Sequence, residues 1–365
     1  MKNIAIVIDG LTGGGAERVM ITLAAEMVSL GHQVTILSLS NRCDYAIPDG
    51  IKVCHLFDHK ASKVDRFWHI KSSITKLEAW FIKEEQQSSP FNLVLSNLDR
   101  SNNLLAKSKI QSVYYIIHSN VDAELQQQKR FGPLSYWYLL KSKQNLSGKN
   151  LIGVSKGITE AISQGSKISA TSIYTIYNPI DIKYIQQQSL LVDTDIPKSP
   201  YIVHVGRLAR VKRHDILFSA LALIKTDLKL VLLCNKPEKA LKLAQKYGVT
   251  ERLILPGFKA NPYNWIKRAQ ALVLSSDYEG LPTVLLEAIA LGTKVVSTSC
   301  PHGPDEILTG PLKDFLVPRR DPKALAEAVN RVLKTKINLT EIGILNKVSA
   351  TTVAQKYLNL IEKQI

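Results

Sequence analysis

The chain has 365 residues, of which 45% are hydrophobic and 21% charged, and its formal net charge is +16. This length predicts two domains, each large enough for its own core, and the composition excludes a disordered chain. No apolar run approaches the roughly 20 residues that cross a bilayer, which excludes a membrane-spanning protein. The excess of positive charge favours an anionic partner, such as phosphate, nucleic acid or an acidic membrane surface.

The cysteines and the first residues indicate a cytoplasmic protein. The four cysteines, at positions 43, 54, 234 and 300, have neither paired nor metal-ligand spacing, so we expect reduced thiols and no zinc site. Residues 1–10 have too short an apolar core for a signal peptide and run into a glycine turn, which favours a first β-strand. A nucleic-acid partner has only the net charge in its favour, because zinc-finger spacing, an RNP-like motif and a compact basic helix are absent from the sequence.

Short β-branched runs alternate with longer amphipathic segments, which is the pattern of βαβ units around a parallel sheet. Two series of strands are predicted, at 3–9, 33–39, 91–97, 112–118, 150–155 and 172–178, and at 201–207, 229–234, 251–257, 269–275 and 294–298. The stretch between the series lacks periodicity and has prolines at both ends, so residues 181–200 are predicted to be a linker. We expect an α/β fold with Rossmann-like domains at 1–180 and 201–345, and a last helix at about 345–365 that could pack back on the first domain.

The first loop of interest is DGLTGGGAER, residues 9–18, which joins a predicted strand to a predicted helix. Ligands of open α/β sheets bind at the carboxyl ends of the strands, where such loops lie. Glycines there let backbone N–H groups approach a phosphate at the helix N-terminus. A tight turn alone would explain the glycines equally well. The loop does not match GxGxxG, and neither strand series supplies the dinucleotide fingerprint of an NAD-dependent enzyme.

The second loop, VGRLARVKRHD at 205–215, directly follows the first strand of the second series. It carries Arg207 and Lys212, and a guanidinium fork together with an ammonium group could hold a diphosphate. A basic surface turn is the alternative for an isolated pair.

The third stretch, SSDYEGLPTVLLEAIALGTKVVS at 275–297, contains a carboxylate inside an apolar helix. Pro282 suits the first helical position and Gly292 the C-terminal cap, which gives a helix of about three turns. Glu279 precedes this helix and Glu287 lies within it, although a buried unpaired carboxylate costs several kcal/mol. Glu287 could pair with a buried cation, but two carboxylates that frame a helix N-terminus favour a ligand site.

Taken together, these motifs resemble a known enzyme family. GGGAER, YNPID, GRLARVK, EGLPTVLLE and CPHGPDEIL occur in the order and spacing of retaining glycosyltransferases of family 4, over essentially the whole chain. The resemblance is to members that build bacterial surface glycans. It implies a GT-B fold, in which two Rossmann-like domains face each other across a deep interdomain cleft. It also implies transfer of a hexose or N-acetylhexosamine from a nucleotide-diphosphate sugar to a glycan acceptor, often lipid-linked, without metal or cofactor.

The resemblance also implies roles for individual residues. The residues that it marks as catalytic are His118, Arg207, Lys212 and Glu279. The residues that it marks as donor-binding are Gly14, Gly15, Gly280, Leu281, Pro282, Thr283 and Glu287. Asp99 and Arg100, which follow the predicted strand 91–97, are candidates for the acceptor pocket. Asp193 and Asp195 form a DxD triplet, but it lies in the predicted linker, so we do not expect a metal site there.

Two basic aromatic segments are candidates for contact with anionic lipid. In 60–83, apolar side chains recur at helical spacing and are flanked by Trp68 and Trp80; they are Phe67, Ile70, Ile74, Leu77 and Phe81. The segment 129–143, KRFGPLSYWYLLKSK, is aromatic and bracketed by cations. Basic amphipathic helices with tryptophans lie in membrane interfaces, yet the stripe of 60–83 could equally face the core of the first domain. For 129–143 the core is also an alternative, but an acceptor-site or membrane role is favoured. With a membrane contact, the protein would be peripheral on the inner face of the cytoplasmic membrane.

Two further functions stay open at this stage. One is a transferase that acts on a small soluble sugar acceptor, and the other is a non-catalytic nucleotide-sugar-binding protein. The base of the nucleotide is weakly specified, because 229–239 lacks the glycine-rich turn that many members have there. UDP is therefore favoured over GDP or ADP only by the resemblance.

Overall fold

The computed structural model describes residues 1–58, 64–65, 68–165, 167–339 and 342–363. The chain forms two compact units, one with Met1–Pro179 and Val348–Ile365 and the other with Ile180–Lys347. Each unit has its own parallel β-sheet with helices between the strands. The α/β fold with two Rossmann-like units is thereby confirmed.

The sheet of the first unit has seven parallel strands in the order β3-β2-β1-β4-β5-β6-β7. The strands are β1 Asn3–Ile8, β2 Gln33–Ser38, β3 Ile51–His55, β4 Leu93–Asn97, β5 Val113–Ile117, β6 Asn150–Gly153 and β7 Ser172–Thr175. The helices before residue 180 are α1 Gly15–Ser29, α2 Ile70–Gln87, α3 Asp99–Ala106, α4 Val121–Gln128, α5 Pro133–Gln144 and α6 Lys156–Ser163. Every residue of β1, β4 and β5 is buried, which explains why these strands are continuously apolar runs rather than alternating ones.

The sheet of the second unit has six parallel strands in the order β10-β9-β8-β11-β12-β13. The strands are β8 Tyr201–Val205, β9 Lys229–Leu233, β10 Leu253–Gly257, β11 Ala271–Leu274, β12 Val295–Thr298 and β13 Leu316–Val317. The helices of this part are α7 Ile182–Gln188, α8 His214–Leu223, α9 Pro237–Gln245, α10 Tyr263–Arg268, α11 Thr283–Ala290, α12 Pro304–Ile307 and α13 Pro322–Lys334, followed by α14 Ile344–Val348 and α15 Ala350–Glu362. In both sheets the order reverses beside the first strand of the unit, which is where ligands bind in such folds.

All the predicted strands are present, and two more were not predicted. Strand β3 lies at the edge of its sheet and is only partly buried, so its sequence has neither a continuous apolar run nor a clean alternation. Strand β13 has two residues, which is too short for a periodic signal.

The predicted linker, residues 181–200, is instead part of the second unit. It begins with α7, whose N-cap Asp181 accepts a hydrogen bond from the backbone N–H of Tyr184 at 2.9 Å. The Nδ2 atoms of Asn261 and Asn264 donate to backbone carbonyls of 188 and 191 at 2.9 and 3.1 Å. The prediction failed because a helix of seven residues gives little periodicity, and the partners that hold it are distant in sequence.

The C-terminal helix α15 belongs to the first unit. Thr351 donates a hydrogen bond to a Glu26 carboxylate oxygen on α1 at 2.6 Å, and Tyr114 of β5 donates to the carbonyl of Leu360 at 3.4 Å. The chain thus crosses from the first unit to the second and back again.

Candidate functional site

In the second unit, Lys212 and Glu279 meet at the carboxyl edge of the sheet. The Nζ atom of Lys212 lies 2.7 Å from Oε1 of Glu279, and the Ser276 hydroxyl donates to the same oxygen at 2.5 Å. The Ser275 hydroxyl, which follows β11, donates to the backbone carbonyl of Lys212 at 2.7 Å. The side chains of Lys212 and Glu279 are 20% and 13% exposed, so the ion pair is shielded from water but still accessible. Two residues singled out separately in the sequence are therefore direct partners.

The loop 279–282 leads into α11, which carries Glu287. Pro282 is the N-cap residue, and its carbonyl accepts the N–H of Leu285 at 3.1 Å. The helix begins at Thr283 and ends at Ala290, so it has about two turns rather than the three predicted. Gly292 follows with φ +74°, a left-handed conformation that suits glycine after a helix. Glu287 is 7% exposed, which places the carboxylate within the buried part of the helix.

A second loop, at 300–304, packs directly on this one. A Cβ atom at Gly303 would lie 2.6 Å from the carbonyl oxygen of Gly280, 2.8 Å from Cδ of Pro282 and 3.1 Å from Cα of Leu281. Gly303 also has φ +95°, so both its conformation and its surroundings require glycine. The motif CPHGPDEIL therefore supports the backbone of the loop before α11. Its function could not be read from the sequence, because it depends on this contact.

Arg207 lies on the same loop as Lys212 but does not join its cluster. The side chain is exposed and makes no hydrogen bond or ion pair with any residue that the structure describes. Arg213, in contrast, is held by Asp215 at 2.6 Å and by Asp277 at 3.2 Å, and has φ +48°. No local pattern in the sequence indicated this neutralised arginine, which fixes the end of the loop.

Two histidines are buried beneath the Lys212 loop. His204 on β8 and His214 on α8 are 0% and 3% exposed, and their ring centroids are 5.0 Å apart. Burial lowers the pKa of His204 to about 4 and that of His214 to about 3. Both rings are therefore neutral at neutral pH and add no positive charge beside Lys212. This pair could not be predicted from the sequence, which shows only two histidines near one loop.

In the first unit, the glycine loop forms the N-terminus of α1. Gly14 is the N-cap and Gly15 the first helical residue. The Tyr45 hydroxyl donates to the carbonyl oxygen of Gly14 at 2.7 Å, and the Glu17 carboxylate lies where a side chain at Gly14 would be. The loop at 41–45 therefore contacts the glycine loop at Gly14, and Tyr45 is a contact that sequence reasoning did not find.

His118 lies in a charged cluster at the ends of β4 and β5. Its Nε2 atom is 3.1 Å from Oδ1 of Asn97, and burial lowers its pKa to about 4. Lys143, whose side chain is 5% exposed, pairs with Asp99 at 2.6 Å and with Glu124 at 2.8 Å. The Ser119 hydroxyl, next to His118, donates to Glu124. We call Asn97, Asp99, His118, Glu124 and Lys143 the His118 cluster; only Asp99 and His118 were predicted.

Asp9, at the end of β1, holds the turn that carries Arg100. Its carboxylate accepts the backbone N–H groups of Arg100 and Ser101 at 3.3 and 2.8 Å, and the Ser101 hydroxyl at 2.8 Å. Burial raises the pKa of Asp9 to about 6, although the hydrogen bonds from Ser101 oppose this. The Arg100 side chain lies near Asp65, with 3.8 Å between Nε and Oδ1. Asp99 and Arg100 thus have separate ionic partners.

The two candidate lipid-binding segments differ. On α2, Leu77 and Phe81 are 0% and 3% exposed, and Trp80 stacks on Phe91 with 6.1 Å between centroids. This part of the apolar stripe faces the core, so the membrane interpretation of 60–83 is wrong for these residues. The sequence could not show this, because a stripe that faces the core and a stripe that faces lipid have the same periodicity. Phe67 lies outside the described residues.

On α5 and the turn before it, large apolar side chains face solvent. Phe131, Leu134, Trp137 and Tyr138 are 72%, 88%, 59% and 46% exposed. Lys141, one turn beyond Trp137, has its ammonium group 5.4 Å from the Trp137 ring centroid. We call Phe131, Leu134, Trp137 and Tyr138 the α5 patch.

The carboxylates of the DxD triplet have structural partners. Asp193 accepts a hydrogen bond from Nε1 of Trp265 at 2.9 Å, and Lys259 lies 3.4 Å from Asp193 and 2.7 Å from Asp195. Among the residues that the structure describes, no group of three or more His, Cys, Asp or Glu side chains could hold a metal ion. No helix in the same residues has both the length and the apolar character needed to cross a bilayer.

Comparison with known proteins places both units in one class of enzyme. The family described as Glycosyltransferase Family 4 matches residues 13–184, and the family described as Glycosyl transferases group 1 matches residues 199–335. The N-acetylgalactosamine-N,N'-diacetylbacillosaminyl-diphospho-undecaprenol 4-alpha-N-acetylgalactosaminyltransferase of Campylobacter jejuni is 28% identical over 84% of this chain and 83% of its own.

Solved structures share the fold over the full chain. Sucrose-phosphate synthase from Thermosynechococcus elongatus superposes with a TM-score of 0.77 at 18% identity, over 100% of this chain and 99% of its own. The Anabaena protein HepE in complex with UDP-glucose has a TM-score of 0.72 at 16% identity, over 100% of both chains. With the two family matches on its two units, the chain belongs to the family 4 glycosyltransferases of the GT-B fold.

Proposed function

We propose that this glycosyltransferase moves a hexose or N-acetylhexosamine from UDP to a lipid-linked glycan acceptor in bacterial surface-glycan assembly, with retention of the anomeric configuration and without a metal ion. The observation that carries the proposal is the Lys212–Glu279 ion pair at the carboxyl edge of β8 and β11. Two relatives support the substrate classes by name. The Campylobacter enzyme is named for a diphospho-undecaprenol-linked sugar, and HepE was solved with UDP-glucose.

The proposed donor site follows from the charges in the second unit. Arg207, exposed and without an ionic partner among the described residues, and Lys212 would bind the pyrophosphate and stabilise the charge that develops on the leaving group. The loop from Gly280 to Thr283 would add backbone N–H groups at the N-terminus of α11. Glu279 would accept a sugar hydroxyl, and Glu287 the ribose hydroxyls. Two cations and the helix N-terminus would supply the positive charge that other transferases take from a metal.

The first unit would contribute the remaining contacts. Gly14 and Gly15, at the N-terminus of α1, would approach the pyrophosphate, and neutral His118 would contact the donor sugar. Asp99 and Arg100 would border the acceptor. In a retaining transfer the acceptor attacks the face from which the phosphate departs, so the leaving phosphate oxygen can take the acceptor proton. This step needs no protein base beside the acceptor.

Nucleotide binding tests the donor site. We expect a rise of several degrees in Tm with UDP but not with GDP, ADP or CMP, in the presence of EDTA, because a ligand at 100 times its Kd stabilises by about 2.7 kcal/mol. Glu287→Ala and Arg207→Ala should lose the rise. Arg210→Ala is the matched control, since Arg210 is another exposed arginine on the same loop. The absence of any shift with all four nucleotides would contradict the donor site.

Product analysis tests the reaction itself. Proton NMR of the first product formed from an α-linked UDP-sugar should show an α-linked glycoside, and EDTA should leave the rate unchanged. Parallel assays with a polyprenyl diphosphate-linked sugar and with a soluble sugar phosphate separate the two acceptor classes. Turnover of the soluble acceptor alone would favour the small-acceptor transferase, and a β-linked product would refute retention.

We further propose that the α5 patch binds an anionic membrane, which would hold the protein at the inner face of the cytoplasmic membrane. Exposed aromatic and leucine side chains of this size mark interaction surfaces. The segment 129–143 contains Lys129, Arg130 and Lys141 and no acidic residue, so its charge complements anionic lipid rather than a neutral surface.

Vesicle flotation tests this contact. The wild type should float with phosphatidylglycerol vesicles at low salt but not with phosphatidylcholine vesicles, and Leu134→Ser with Trp137→Ser should abolish flotation. Val192→Ser, at an 81% exposed position of the second unit, is the matched control. If the double variant floats like the wild type, the α5 patch is not the lipid-binding surface.

A further inference from the structure

We infer that Asn97 is a positioning residue for His118: it accepts a hydrogen bond from Nε2–H and so fixes the neutral tautomer whose Nδ1 atom carries a lone pair. The inference rests on the donor-sugar contact proposed for His118. It adds that Nδ1 of this histidine accepts a hydrogen bond from a sugar hydroxyl, and that the histidine does not donate to a phosphate oxygen.

The contact joins the ends of two neighbouring strands. Asn97 is the last residue of β4, His118 follows β5, and Asn97 pairs in register with Ile116. The Asn97 side chain is 0% exposed, and its Oδ1 atom lies 3.1 Å from Nε2 of His118. Because both groups are attached to a buried sheet, the backbone fixes their separation.

Two features of the backbone and side chains next to this contact are energetically unfavourable. The Nδ2 atom of Asn97 is buried and has no hydrogen-bond partner in the described part of the chain, although a buried amide N–H normally has one. Leu98, the next residue, has φ +70°, which is unusual for a side chain of this size. Strained residues of this kind cluster at functional sites. Here the strained turn and the incompletely paired amide both flank the contact with His118.

The charges around His118 leave the ring neutral. Burial is the largest effect and lowers the pKa of His118 to about 4. The charges of Asp99 on α3 and Lys143 on α5 act in opposite directions, since Asp99 raises this pKa and Lys143 lowers it. Glu124 on α4 reaches the same place through Ser119 and Lys143. A neutral imidazole has one N–H and one lone pair, and the partner of one nitrogen sets the role of the other. With Nε2–H directed at Asn97, Nδ1 is an acceptor.

The tautomer can be observed directly in the intact protein. Long-range ¹⁵N–¹H correlation spectra of protein labelled at histidine, with His118 assigned by His118→Gln, should show a protonated Nε2 and an unprotonated Nδ1 at neutral pH. Asn97→Leu should give averaged signals of two tautomers. Asn97→Asp should raise the pKa of His118 by about 1–3, since a carboxylate at this distance favours the imidazolium. Asn102→Leu is the matched control, because Asn102 is also buried nearby but bonds to Ser96 and to the carbonyl of Ile116.

Kinetics then separate the inference from the proposed function. Asn97→Leu should lower kcat/KM for the donor by about 10- to 100-fold, the range that loss of an orienting partner costs metal-binding histidines. Full activity of His118→Gln would refute the role proposed for His118, whereas the spectra would still decide the tautomer. The inference is wrong if wild-type His118 is protonated at Nδ1, or if Asn97→Asp leaves its pKa where it was. The wild-type spectrum alone decides the first point, so the inference can be refuted even if a variant does not fold.

Discussion

Lys143 pairs with Asp99 and Glu124, and the unequal burial of the three side chains predicts unequal effects of removing them. The Lys143 side chain is 5% exposed, against 50% for Asp99 and 25% for Glu124. Lys143→Met takes away the buried charge and leaves Asp99, which is half exposed, and Glu124, which keeps its hydrogen bond from Ser119, so we expect it to cost about 1 kcal/mol. Asp99→Asn with Glu124→Gln leaves a buried ammonium group without a counter-charge, which should cost about 3–5 kcal/mol.

The pH dependence should differ in sign between wild type and double variant. Burial alone would lower the Lys143 pKa, but the two carboxylates outweigh it and raise the pKa above the ordinary 10.5. The stabilisation in the wild type is therefore fully present below pH 10.5 and is lost only as the pH rises through the folded-state pKa. In the double variant, burial acts unopposed and the folded-state pKa falls below 10.5. Its unfolded state then binds more protons, so its stability should increase as the pH rises toward 10.

Urea unfolding measured by tryptophan fluorescence gives both quantities. A Trp265→Phe background removes the single tryptophan of the second unit, so the signal comes from the first unit. Lys141→Met, an exposed lysine on the same helix, is the control and should change stability by less than about 0.5 kcal/mol. Equal losses for Lys143→Met and the double variant, or a double variant that loses stability between pH 7 and 10, would refute the reasoning.

Three further predictions concern single side chains. Gly303→Ala should destabilise the second unit by about 1–3 kcal/mol and weaken UDP binding in a thermal-shift assay. Gly310→Ala is the control: φ is +55° there but no atom lies within 4 Å of the new Cβ, so it should cost only the backbone strain. Equal losses of stability in the two variants would contradict the packing argument. In the unfolded state His204 binds a proton below about pH 6.5, whereas in the folded state it does so only below about pH 4. The free energy of unfolding should therefore fall by about 3 kcal/mol as the pH drops across that range. Urea titrations of His204→Phe should show a smaller fall in this free energy. The Tyr45 hydroxyl donates a hydrogen bond to the Gly14 carbonyl, so Tyr45→Phe should cost about 1 kcal/mol of stability and speed amide exchange at the start of α1. Unchanged exchange there would be evidence against this contact.

The elements of the fold were predictable because both sheets are parallel and buried. Strands such as β1 are then continuous apolar runs, which are short and easily distinguished from the helices between them. The same periodicity could not separate α2 from α5, since a helix that packs on a core and one that faces lipid both need an apolar stripe. Only the exposures, 0% for Leu77 and 88% for Leu134, distinguish the two.

The candidate site was predictable only where it depends on strand ends. The rule that ligands bind at the carboxyl edge of a parallel sheet indicated Lys212 and Glu279 before their contact was known. The residues that support this site were not predictable, because their roles are contacts between loops far apart in sequence. Gly303 against Gly280 and Arg213 with Asp277 leave no local pattern. Asn97 was missed for the same reason, since its partner His118 lies 21 positions away, directly after the neighbouring strand β5.

The ion pairs of the second unit also explain how a carboxylate can stand beside a proposed pyrophosphate site. Glu279 accepts hydrogen bonds from both Lys212 and Ser276, so its charge is already balanced where a diphosphate would otherwise be repelled. Arg213 is likewise balanced by Asp215 and Asp277. Arg207 and Arg210, both exposed, therefore carry the uncompensated positive charge on the loop. We expect Arg207, which is the one proposed to bind the pyrophosphate, to account for most of the salt dependence of UDP affinity, whereas Lys212, which exchanges one anionic partner for another, should affect kcat more than binding.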